Sequence, residues 1–451
     1  MENIMERNDI LTLKIDDFSH DGKGIAHKDN ITIFVEKAIK GEMINVKIIK
    51  ILPKKNMAIG VISEIKKQSP ERIRAKCDYK NCGGCQLHHI SYKKELEFKK
   101  NVVEAALKRI GKVKVKVNDT IGAENIFHYR SKVSVPVGKV KGKAVTGFYA
   151  VKSHNIIPIE NCIVQPSLND SILKIIREWI DKYKISVYDE TKKEGKLKHI
   201  VIRNGNNEIM VILVSKSKRL NETKKLVETL KKFNKKVVSI ILNVNTSKGN
   251  KILGNNNITL YGKNSITASI SDIKFEIGPD TFFQINPAQT EVLYNKAMEL
   301  AQINKEDIVI DTYSGVGSLT LFLAKKAKKV IGFEINENSV KKSFENAKKN
   351  KIENIDFISG DVTKNLPEWV KNGNKCDILV LDPPRKGATT EFWDSVIEVN
   401  PRKIIYISCY PSTLARDLKY LKDFGYIAKE TTPVDMFPKT HHIETVTLIE
   451  K

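Results

Sequence analysis

The sequence lacks the long apolar runs that would place it in a membrane. Hydrophobic residues make up 41% and aromatic residues 7% of the 451 residues, but no run approaches the roughly 18 apolar residues that a membrane span needs. The N-terminal stretch MENIMERNDI also has no apolar core of the kind found in a secretory signal peptide. We therefore expect a soluble cytoplasmic protein without a membrane partner.

Acidic residues are few relative to basic ones, with 53 Asp and Glu against 77 Lys and Arg and a net charge of +24. Such an excess attracts polyanions, because binding releases the counterions held by their phosphates. The charge therefore favours nucleic acid as the partner. The alternative is a general bias toward Lys and Asn, seen in stretches such as NAKKNKIEN, which would add charge to solvated faces without any ligand.

Cysteine is too scarce for a disulfide scaffold, since only six occur in 451 residues. Cys77, Cys82 and Cys85 are clustered as C-x4-C-x2-C. Clustered thiols indicate metal binding or catalysis rather than packing. The other three cysteines are dispersed along the chain: Cys162, Cys376 and Cys409.

The pattern of strands and helices divides the chain into three segments. Residues 1–66 contain short, evenly spaced alternating runs, which predict a small β-barrel of the oligonucleotide-binding kind. Residues 67–275 combine strand-like runs with helices, one of them near 92–110, and predict an α+β central domain; this helix can also pack with the last domain. In residues 276–451, apolar strands alternate with helices, which is typical of an α/β fold with a parallel sheet covered on both faces.

The last segment carries the signals of a nucleoside pocket. Gly315 and Gly317 lie where the first strand meets a helix, and Glu334 ends the second strand at the spacing at which an acid binds ribose hydroxyls. Asp361 and Asp382 follow the third and fourth strands. Each acid alone would be explained as a helix cap. Together, without a third glycine or a phosphate-binding lysine motif, they favour S-adenosylmethionine over NAD.

Five motifs resemble those of the RNA uracil-C5 (5-methyluridine) methyltransferase family, in the same order. They are FFQINPAQTEVLY, DTYSGVG, LDPPRKG, ISCYPSTLARDL and HHIETVTLIEK. The resemblance covers nearly the whole chain if the N-terminal barrel is the family's TRAM domain. It implies a Rossmann-like S-adenosylmethionine-dependent methyltransferase domain of seven strands with the last strand antiparallel. The residues that would contact the cofactor by this similarity are Gln284, Tyr313, Glu334 and Asp382.

The resemblance also implies the two catalytic residues, Cys409 as nucleophile and Glu444 as base. Cys409 ends the apolar run KIIYIS, where a buried structural thiol is the alternative. Carbon 5 of uracil is too weak a nucleophile to accept a methyl group unaided. A thiolate that adds to carbon 6 makes carbon 5 electron-rich, and a base must later remove the carbon 5 proton. The cofactor's sulfonium and Arg385 are candidates to favour the thiolate.

The target base must leave its stack to reach such a pocket. Phe282 and Phe283 precede Gln284 and could stack on the flipped ring, with core packing as the alternative. The candidate RNA-contacting residues are Phe282, Phe283, Arg130, Lys132 and Arg385.

In the family a fourth cysteine completes a 4Fe-4S cluster, and the resemblance implies Cys162 for this role beside Cys77, Cys82 and Cys85. The chain has four residues between the first two cysteines where the commonest family spacing has five. A structural zinc site is the main alternative, since zinc also takes four cysteine ligands. Cys376 has no partner motif and is expected to be structural.

The resemblance leaves the target RNA as the harder question. In this family a barrel together with a cluster goes with ribosomal RNA, so we expect a monomeric enzyme acting on 23S ribosomal RNA, with transfer RNA as the alternative. A methyltransferase of base amino groups is disfavoured, because Arg385 follows the DPP sequence where those enzymes carry an aromatic residue. A non-catalytic RNA-binding protein is a further alternative.

Overall fold

The computed structural model describes residues 5–79, 81–151, 153–247, 249 and 251–451. The first four residues of the predicted N-terminal domain lie outside the described residues. The described chain forms three large sheets and one separate hairpin.

Six short strands form the N-terminal sheet. They are β1 (Ile10–Lys14), β2 (Asp17–Phe18), β3 (Gly24–Lys28), β4 (Ile31–Glu36), β5 (Met43–Leu52) and β6 (Met57–Lys67). Their order is β1-β5-β6-β4-β3-β2, and only the β4 and β6 pair is parallel. Alternate residues such as Leu13, Ile33 and Val46 fill the core, as the period of two requires. The prediction of a β-rich N-terminal region is confirmed.

The middle of the chain is α+β, as predicted. Its elements are α1 (Tyr92–Ala106), β7 (Lys116–Val117), β8 (Lys132–Val140), β9 (Lys143–Tyr149), β10 (Ile156–Pro158), α2 (Ser167–Lys182), β11 (Leu197–Asn204), β12 (Ile209–Ser215), α3 (Thr223–Phe233), β13 (Val237–Val244), β14 (Asn256–Gly262), β15 (Ile266–Ile270) and β16 (Ile273–Ile277). Strands β8 to β14 form one sheet in the order β10-β9-β8-β11-β12-β13-β14. Helices α2 and α3 pack on it through one shared apolar core.

The last part of the chain alternates strands with helices. Its elements are α4 (Pro287–Ala301), β17 (Ile308–Asp311), α5 (Ser318–Ala324), β18 (Lys329–Glu334), α6 (Glu337–Lys349), β19 (Ile355–Ser359), α7 (Val362–Lys371), β20 (Ile378–Leu381), α8 (Thr390–Val399), β21 (Lys403–Ser408), α9 (Pro411–Lys422), β22 (Ile427–Val434) and β23 (Glu444–Glu450). The sheet order is β19-β18-β17-β20-β21-β23-β22-β7. The α/β prediction is confirmed, including the antiparallel last strand, β23.

The sheet has one strand more than the predicted seven. The eighth is β7, a two-residue strand from the central segment that pairs in parallel with β22. An edge strand leaves unpaired backbone N–H and C=O groups, and a passing stretch of chain can satisfy them. No periodicity could reveal so short a strand.

Two elements of the central segment pack on the last sheet. Helix α1 and the π-helix that follows it, Leu107–Gly111, pack on one face of this sheet. They contribute Val103, Ala106 and Leu107 to one of its two apolar cores. The β15–β16 hairpin shares the other core with α4 and α5. The domain boundary proposed after residue 275 falls inside β16. The limits of the three domains otherwise stay predictions.

Candidate active site

The register of the last strands brings Cys409 and Glu444 together. Strands β21 and β23 are antiparallel, and Ser408 lies opposite Thr445. The Thr445 hydroxyl donates to the Ser408 carbonyl oxygen at 3.0 Å. Cys409 directly follows β21 and Glu444 is the first residue of β23, so the register places the two residues at the same end of the strand pair.

A second carboxyl group lies beside this pair. Asp382 follows β20, the parallel neighbour of β21, and its Oδ2 accepts a long hydrogen bond from Gln284 Nε2 at 3.5 Å. Loss of hydration and the nearby charge of Asp311 raise the pKa of Asp382 to about 7. Burial, followed by the charge of Asp382, raises the pKa of Glu444 well above its usual range, with Arg385 acting in the opposite direction. Among the described residues, Glu444 Oε2 has no hydrogen-bond partner.

The Cys409 thiol is half-buried in this acidic surrounding. Burial raises its pKa to about 12, and the charges of Glu444 and Asp382 act in the same direction, while Arg385 opposes them. The thiol is therefore protonated at neutral pH in the free protein, and its ionisation requires additional positive charge in the site.

The glycine loop between β17 and α5 is held by Glu334. Oε2 of Glu334 accepts from the Gly315 N–H at 3.0 Å, and Oε1 accepts from the Asn336 N–H at 2.7 Å. Gly315 has φ +56°, and a Cβ built there would meet no atom within 4 Å. The loop backbone thus faces open space, and the Glu334 carboxylate keeps lone pairs for further donors.

The glycine two positions later has a different role. Gly317 has φ +83°, and a Cβ there would come within 2.8 Å of Leu321 Cδ1. The side chain is excluded because the chain turns into α5 at this point.

Asp361 and Tyr313 lie near the same edge of the sheet. Asp361 caps α7, and its Oδ1 accepts from Thr363 N at 3.0 Å and from Thr363 Oγ1 at 2.8 Å. The observed contacts of Asp361 are therefore those of a helix cap. Tyr313 packs on Phe392, with ring centroids 5.8 Å apart. Burial and the nearby charge of Asp361 raise the pKa of Tyr313 to about 12.

A cavity of about 550 Å³ opens above Cys409. Three separate parts of the chain form its wall: the N-terminal sheet, helix α1 with the residues that follow it, and the loops around Cys409 and Glu444. The lining residues include Phe18, Phe34, Lys94, Phe98, Asn101, Arg109, Arg385, His441 and His442. The cavity therefore combines aromatic rings and positive charge, the two features that bind single-stranded nucleic acid.

Comparison with known proteins agrees with this geometry. A sequence model of the family described as tRNA (Uracil-5-)-methyltransferase matches residues 91–451, and a TRAM domain model matches residues 6–61. The chain belongs to the tRNA (uracil-5-)-methyltransferase family. Its fold and motifs are thus those of an S-adenosylmethionine-dependent RNA uracil-5 methyltransferase.

Relatives in this methyltransferase family match the whole chain. An RNA methyltransferase of Clostridium tetani is 44% identical over 99% of this chain and 97% of its own length. One of Caldanaerobacter subterraneus subspecies tengcongensis is 42% identical over 97% of both. The crystal structure of the Pyrococcus abyssi tRNA (uracil-54, C5)-methyltransferase, in complex with S-adenosyl-L-homocysteine, has a TM-score of 0.77 and 29% identity, and covers 97% of this chain and 99% of that one.

The methyl-donor site fits the residues present. The open backbone at Gly315, the free lone pairs of Glu334 and the Asp382–Gln284 pair form an acidic edge. Such an edge suits a ligand with ribose hydroxyls and a positive sulfonium.

Sequence reasoning placed several RNA contacts away from the cavity. Among the described residues, Arg385 lines it, whereas Phe282, Phe283, Arg130 and Lys132 do not. The Phe283 ring is buried against Phe275 at 5.5 Å, which agrees with core packing, whereas Phe282 is 70% exposed. Burial and the nearby guanidinium groups of Arg203 and Arg130 lower the pKa of Lys132 to about 8.

The residues that sequence reasoning missed lie on α1 and in the loop before Glu444. Lys94 and Asn101 lie on α1, and Arg109 lies on the π-helix that follows it. The helical pattern of this stretch predicted only packing against other elements, not contact with RNA. His441 and His442 stand in the HHIE motif itself, so their place beside the base could have marked them.

Four thiols outside the active site lie close to one another. Burial and then the charges of the other three cysteines raise the pKa of Cys85 to about 12, and burial raises that of Cys162 to about 11. The Gly84 N–H donates to Cys82 Sγ at 3.4 Å. In the part of the chain that is described, no three His, Cys, Asp or Glu side chains are arranged to hold a metal ion. The donor set suits a four-thiolate centre, but the side chains do not form one here.

The sixth cysteine is structural. Cys376 is buried in a core, where its thiol donates to the Ile378 carbonyl oxygen at 3.2 Å.

Across the described ranges, no helix has the length and apolar character to cross a membrane.

Proposed function

We propose that this protein methylates carbon 5 of a uridine in 23S ribosomal RNA, with S-adenosylmethionine as methyl donor, Cys409 as nucleophile and Glu444 as base. The observation that carries the proposal is the proximity of Cys409, just after β21, to Glu444, at the start of β23, beside a cavity lined by aromatic and basic side chains. A nucleophile and a base on opposite sides of one small ring are what the reaction needs.

Cys409 acts first in this mechanism. Its thiolate adds to carbon 6 of the uracil, and the electron pair of the 5,6 double bond moves onto carbon 5 and the carbon 4 oxygen. S-adenosylmethionine supplies the methyl group and, through its sulfonium, a positive charge that favours the thiolate. Carbon 5 would then form a bond to the methyl carbon while the bond from that carbon to the sulfonium breaks, and S-adenosylhomocysteine would leave with the electron pair.

Glu444 acts in the second half. Its carboxylate removes the proton from carbon 5, the 5,6 double bond forms again, and the bond between Cys409 Sγ and carbon 6 breaks with its electron pair returning to sulfur. A carboxyl group with a raised pKa suits this task, because it is a stronger base than an ordinary one. Burial and Asp382 provide that raised pKa in Glu444.

The cofactor contacts are part of the proposal. Glu334 would bind the ribose hydroxyls, and the Gly315 and Gly317 loop would let the ligand approach the backbone. Gln284, Tyr313 and Asp382 would hold the rest of the donor, with Asp361 adding charge at the edge.

The experiment that tests the chemistry uses RNA in which the target base is 5-fluorouridine. Fluorine cannot leave as a cation, so the methylated adduct should remain bound to Cys409 and migrate as a protein–RNA complex on a denaturing gel. Cys409→Ala should form no adduct and transfer no labelled methyl group. Methyl transfer at the wild-type rate by this variant would disprove the proposal.

Transfer RNA is the second candidate substrate. The Pyrococcus abyssi structure, similar over nearly its whole length, is that of a tRNA (uracil-54, C5)-methyltransferase. The barrel region alone therefore does not point to ribosomal RNA. Mapping 5-methyluridine in 23S and transfer RNA from cells with and without the gene separates the two candidates.

We also propose that Cys77, Cys82, Cys85 and Cys162 hold a 4Fe-4S cluster with a structural or RNA-positioning role. Four thiols from two chain segments, with a backbone N–H on one sulfur, support it. Anaerobically purified protein should be brown, with absorbance at about 400 nm and four irons per chain. A colourless protein with one zinc per chain would favour the zinc alternative.

A further inference from the structure

Four buried charges join helix α1 to the loop that precedes the proposed base. We call residues 435–443, between β22 and β23, the base loop. Glu95 and Lys99 lie on α1, and Asp435 and Lys439 lie in the base loop. The side chains of Glu95, Lys99 and Asp435 are 0% exposed and that of Lys439 is 2% exposed, and three ion pairs connect the four residues.

The contacts form a linear chain of charges that runs from Lys439 through Glu95 and Lys99 to Asp435. Lys99 Nζ lies 3.1 Å from Glu95 Oε1 and 2.5 Å from Asp435 Oδ1. Lys439 Nζ lies 3.0 Å from Glu95 Oε2. Two ammonium groups thus face two carboxylates, and the group as a whole is neutral. The Tyr92 hydroxyl adds a bond to Asp435 Oδ2 at 2.8 Å.

Stability alone does not account for this arrangement. Moving each ion out of water costs several kcal/mol, and apolar side chains of the same volume are often equally stable or more so. What buried charges add is a fixed geometry, because each needs its partner in one place. The network is therefore best understood by what it holds in place.

The network holds backbone as well as side chains. Glu95 Oε1 also accepts from the Lys439 N–H at 2.6 Å, and Asp435 Oδ1 accepts from the Phe437 N–H at 3.2 Å. Lys99 Nζ donates to the Phe437 carbonyl oxygen at 3.3 Å. The Lys439 carbonyl oxygen accepts from the Leu87 N–H at 3.0 Å.

Lys439 has a backbone conformation that L-residues avoid. Its φ is +69°, in the left-handed region, which costs a non-glycine residue roughly 1 kcal/mol and persists only when the surroundings fix it. Glycine would adopt this conformation freely. The lysine supplies both its N–H and its ammonium to Glu95, and glycine could supply only the first.

The base loop transmits this fixed geometry to the active site. Phe437 O accepts from Thr440 Oγ1 at 2.8 Å, and Thr440 Oγ1 accepts from the His442 N–H at 3.2 Å. His441 and His442 line the cavity above Cys409. Glu444 follows directly as the first residue of β23 and pairs with Val434. Lys439 thus lies five residues before Glu444, whose carboxyl group has to reach carbon 5.

We propose that Glu95, Lys99, Asp435 and Lys439 are positioning residues for the second half of the reaction. They fix the base loop so that the Glu444 carboxylate reaches the carbon 5 proton of the bound pyrimidine. The inference rests on the proposed function, since it assigns these residues to the proton removal by Glu444. Cys409 lies outside the base loop, directly after β21, so its addition to carbon 6 should be affected less than the proton removal.

Lys99→Met tests the inference, because methionine has a similar volume and no charge. RNA with 5-fluorouridine should still be trapped by this variant. With ordinary uridine and labelled methyl donor, the methylated covalent intermediate should accumulate, and its release should slow by about 10- to 100-fold, as expected for a misplacement of about 1 Å. Release at the wild-type rate, or equal losses in adduct formation and release, would overturn the inference.

Lys403→Met is the matched control. Lys403 is also buried and bonded, to Gln302 Oε1 at 2.8 Å, but it begins β21 at the opposite end from Cys409. This variant should leave the ratio of adduct formation to release unchanged. A change as large as that of Lys99→Met would mean that any buried lysine matters for stability, and the inference would fall.

Lys99→Met combined with Asp435→Asn keeps the site neutral and allows the same test if the single variant folds poorly. The Glu95–Lys439 pair remains in it, but the bond from Lys99 to the base loop is lost, so release should still be slow.

The proposed function and the positioning role would be contradicted by different results. If the wild-type protein forms no adduct with 5-fluorouridine RNA, the proposed function fails; if it does and both variants release product normally, only the positioning role fails.

Discussion

At the scale of single residues, the thiol of Cys409 has the clearest consequence. It lies beside two carboxyl groups in a half-buried site, which holds its pKa at about 12. A raised pKa means that the thiolate fraction is small at neutral pH and grows with pH until the pKa is reached. In the free protein at neutral pH, Cys409 is therefore almost entirely in the unreactive thiol form.

We predict that iodoacetamide alkylates Cys409 slowly at pH 7. The rate should rise about tenfold per pH unit up to at least pH 9, because only the thiolate reacts. Mass spectrometry of the peptide that contains Cys409 measures it. A plateau below pH 8 would mean that another group already stabilises the thiolate in the free protein.

Glu444 gives the second prediction at this scale. Glu444→Gln keeps the size of the side chain but cannot accept the carbon 5 proton. The variant should transfer the methyl group and then hold the RNA covalently, with turnover reduced by at least about 100-fold. Quench-flow or gel analysis with labelled S-adenosylmethionine shows the accumulated adduct. Rapid turnover by this variant would remove Glu444 from the role of base.

Some residue assignments could be made from sequence and others could not. The glycine loop and Glu334 were marked by their spacing. The Gly315 N–H donates to the Glu334 carboxylate, while the binding of ribose hydroxyls by Glu334 stays a prediction. The pairing of Cys409 with Glu444 depends on the register of β21 and β23, which motifs do not state. Asp361 carried the same signal as Asp382, yet its observed contacts are those of a helix cap.

At the scale of elements, the end of the helix predicted near 92–110 is marked by a glycine. The π-helix that follows α1 ends at Gly111, and Lys112 takes the left-handed conformation with φ +50°. A Cβ on Gly111 would lie 2.8 Å from the Ala415 carbonyl oxygen. The glycine is therefore needed for the close approach of α1 to α9.

Gly111→Ala should destabilise the protein by about 1–3 kcal/mol, because the added methyl group has no room against backbone. Thermal denaturation followed by circular dichroism measures the change as a lower Tm. Gly249→Ala is a suitable control, since a Cβ there meets no atom within 4 Å. An unchanged Tm for Gly111→Ala would show that α1 and α9 can separate at little cost.

The strand and helix pattern was readable because the α/β part has long, regular apolar runs. The two-residue strand β7 and the packing of the β15–β16 hairpin were not, because neither leaves a periodic signal. Which surfaces meet is decided by tertiary packing, and this is why the boundary after 275 cuts through β16.

At the scale of the whole molecule, the cavity is the feature that sequence could not supply. Its wall joins residues as distant as Phe18, Phe98 and His442. Charge predicted a nucleic-acid partner, but only the assembled fold shows which basic groups surround the nucleophile.

Arg109 tests the cavity as the RNA-binding surface. It is exposed and lines the cavity at the end of the α1 region. Arg109→Ala should weaken RNA binding and reduce the slope of log K against log salt by about 1, as expected for one lost phosphate contact. Lys305→Ala, before β17 at the opposite end of the sheet, should leave both values unchanged. Equal effects of the two variants would point to general attraction by the net charge.

The cross-strand pair of Cys409 and Glu444 also has a mechanical consequence. Cys409 directly follows β21 and Glu444 begins β23, and these two strands are hydrogen-bonded to each other, whereas the N-terminal sheet forms a different side of the cavity. The spacing of the two reacting groups is therefore set within one sheet, and the N-terminal sheet shapes only the wall through which a base would enter.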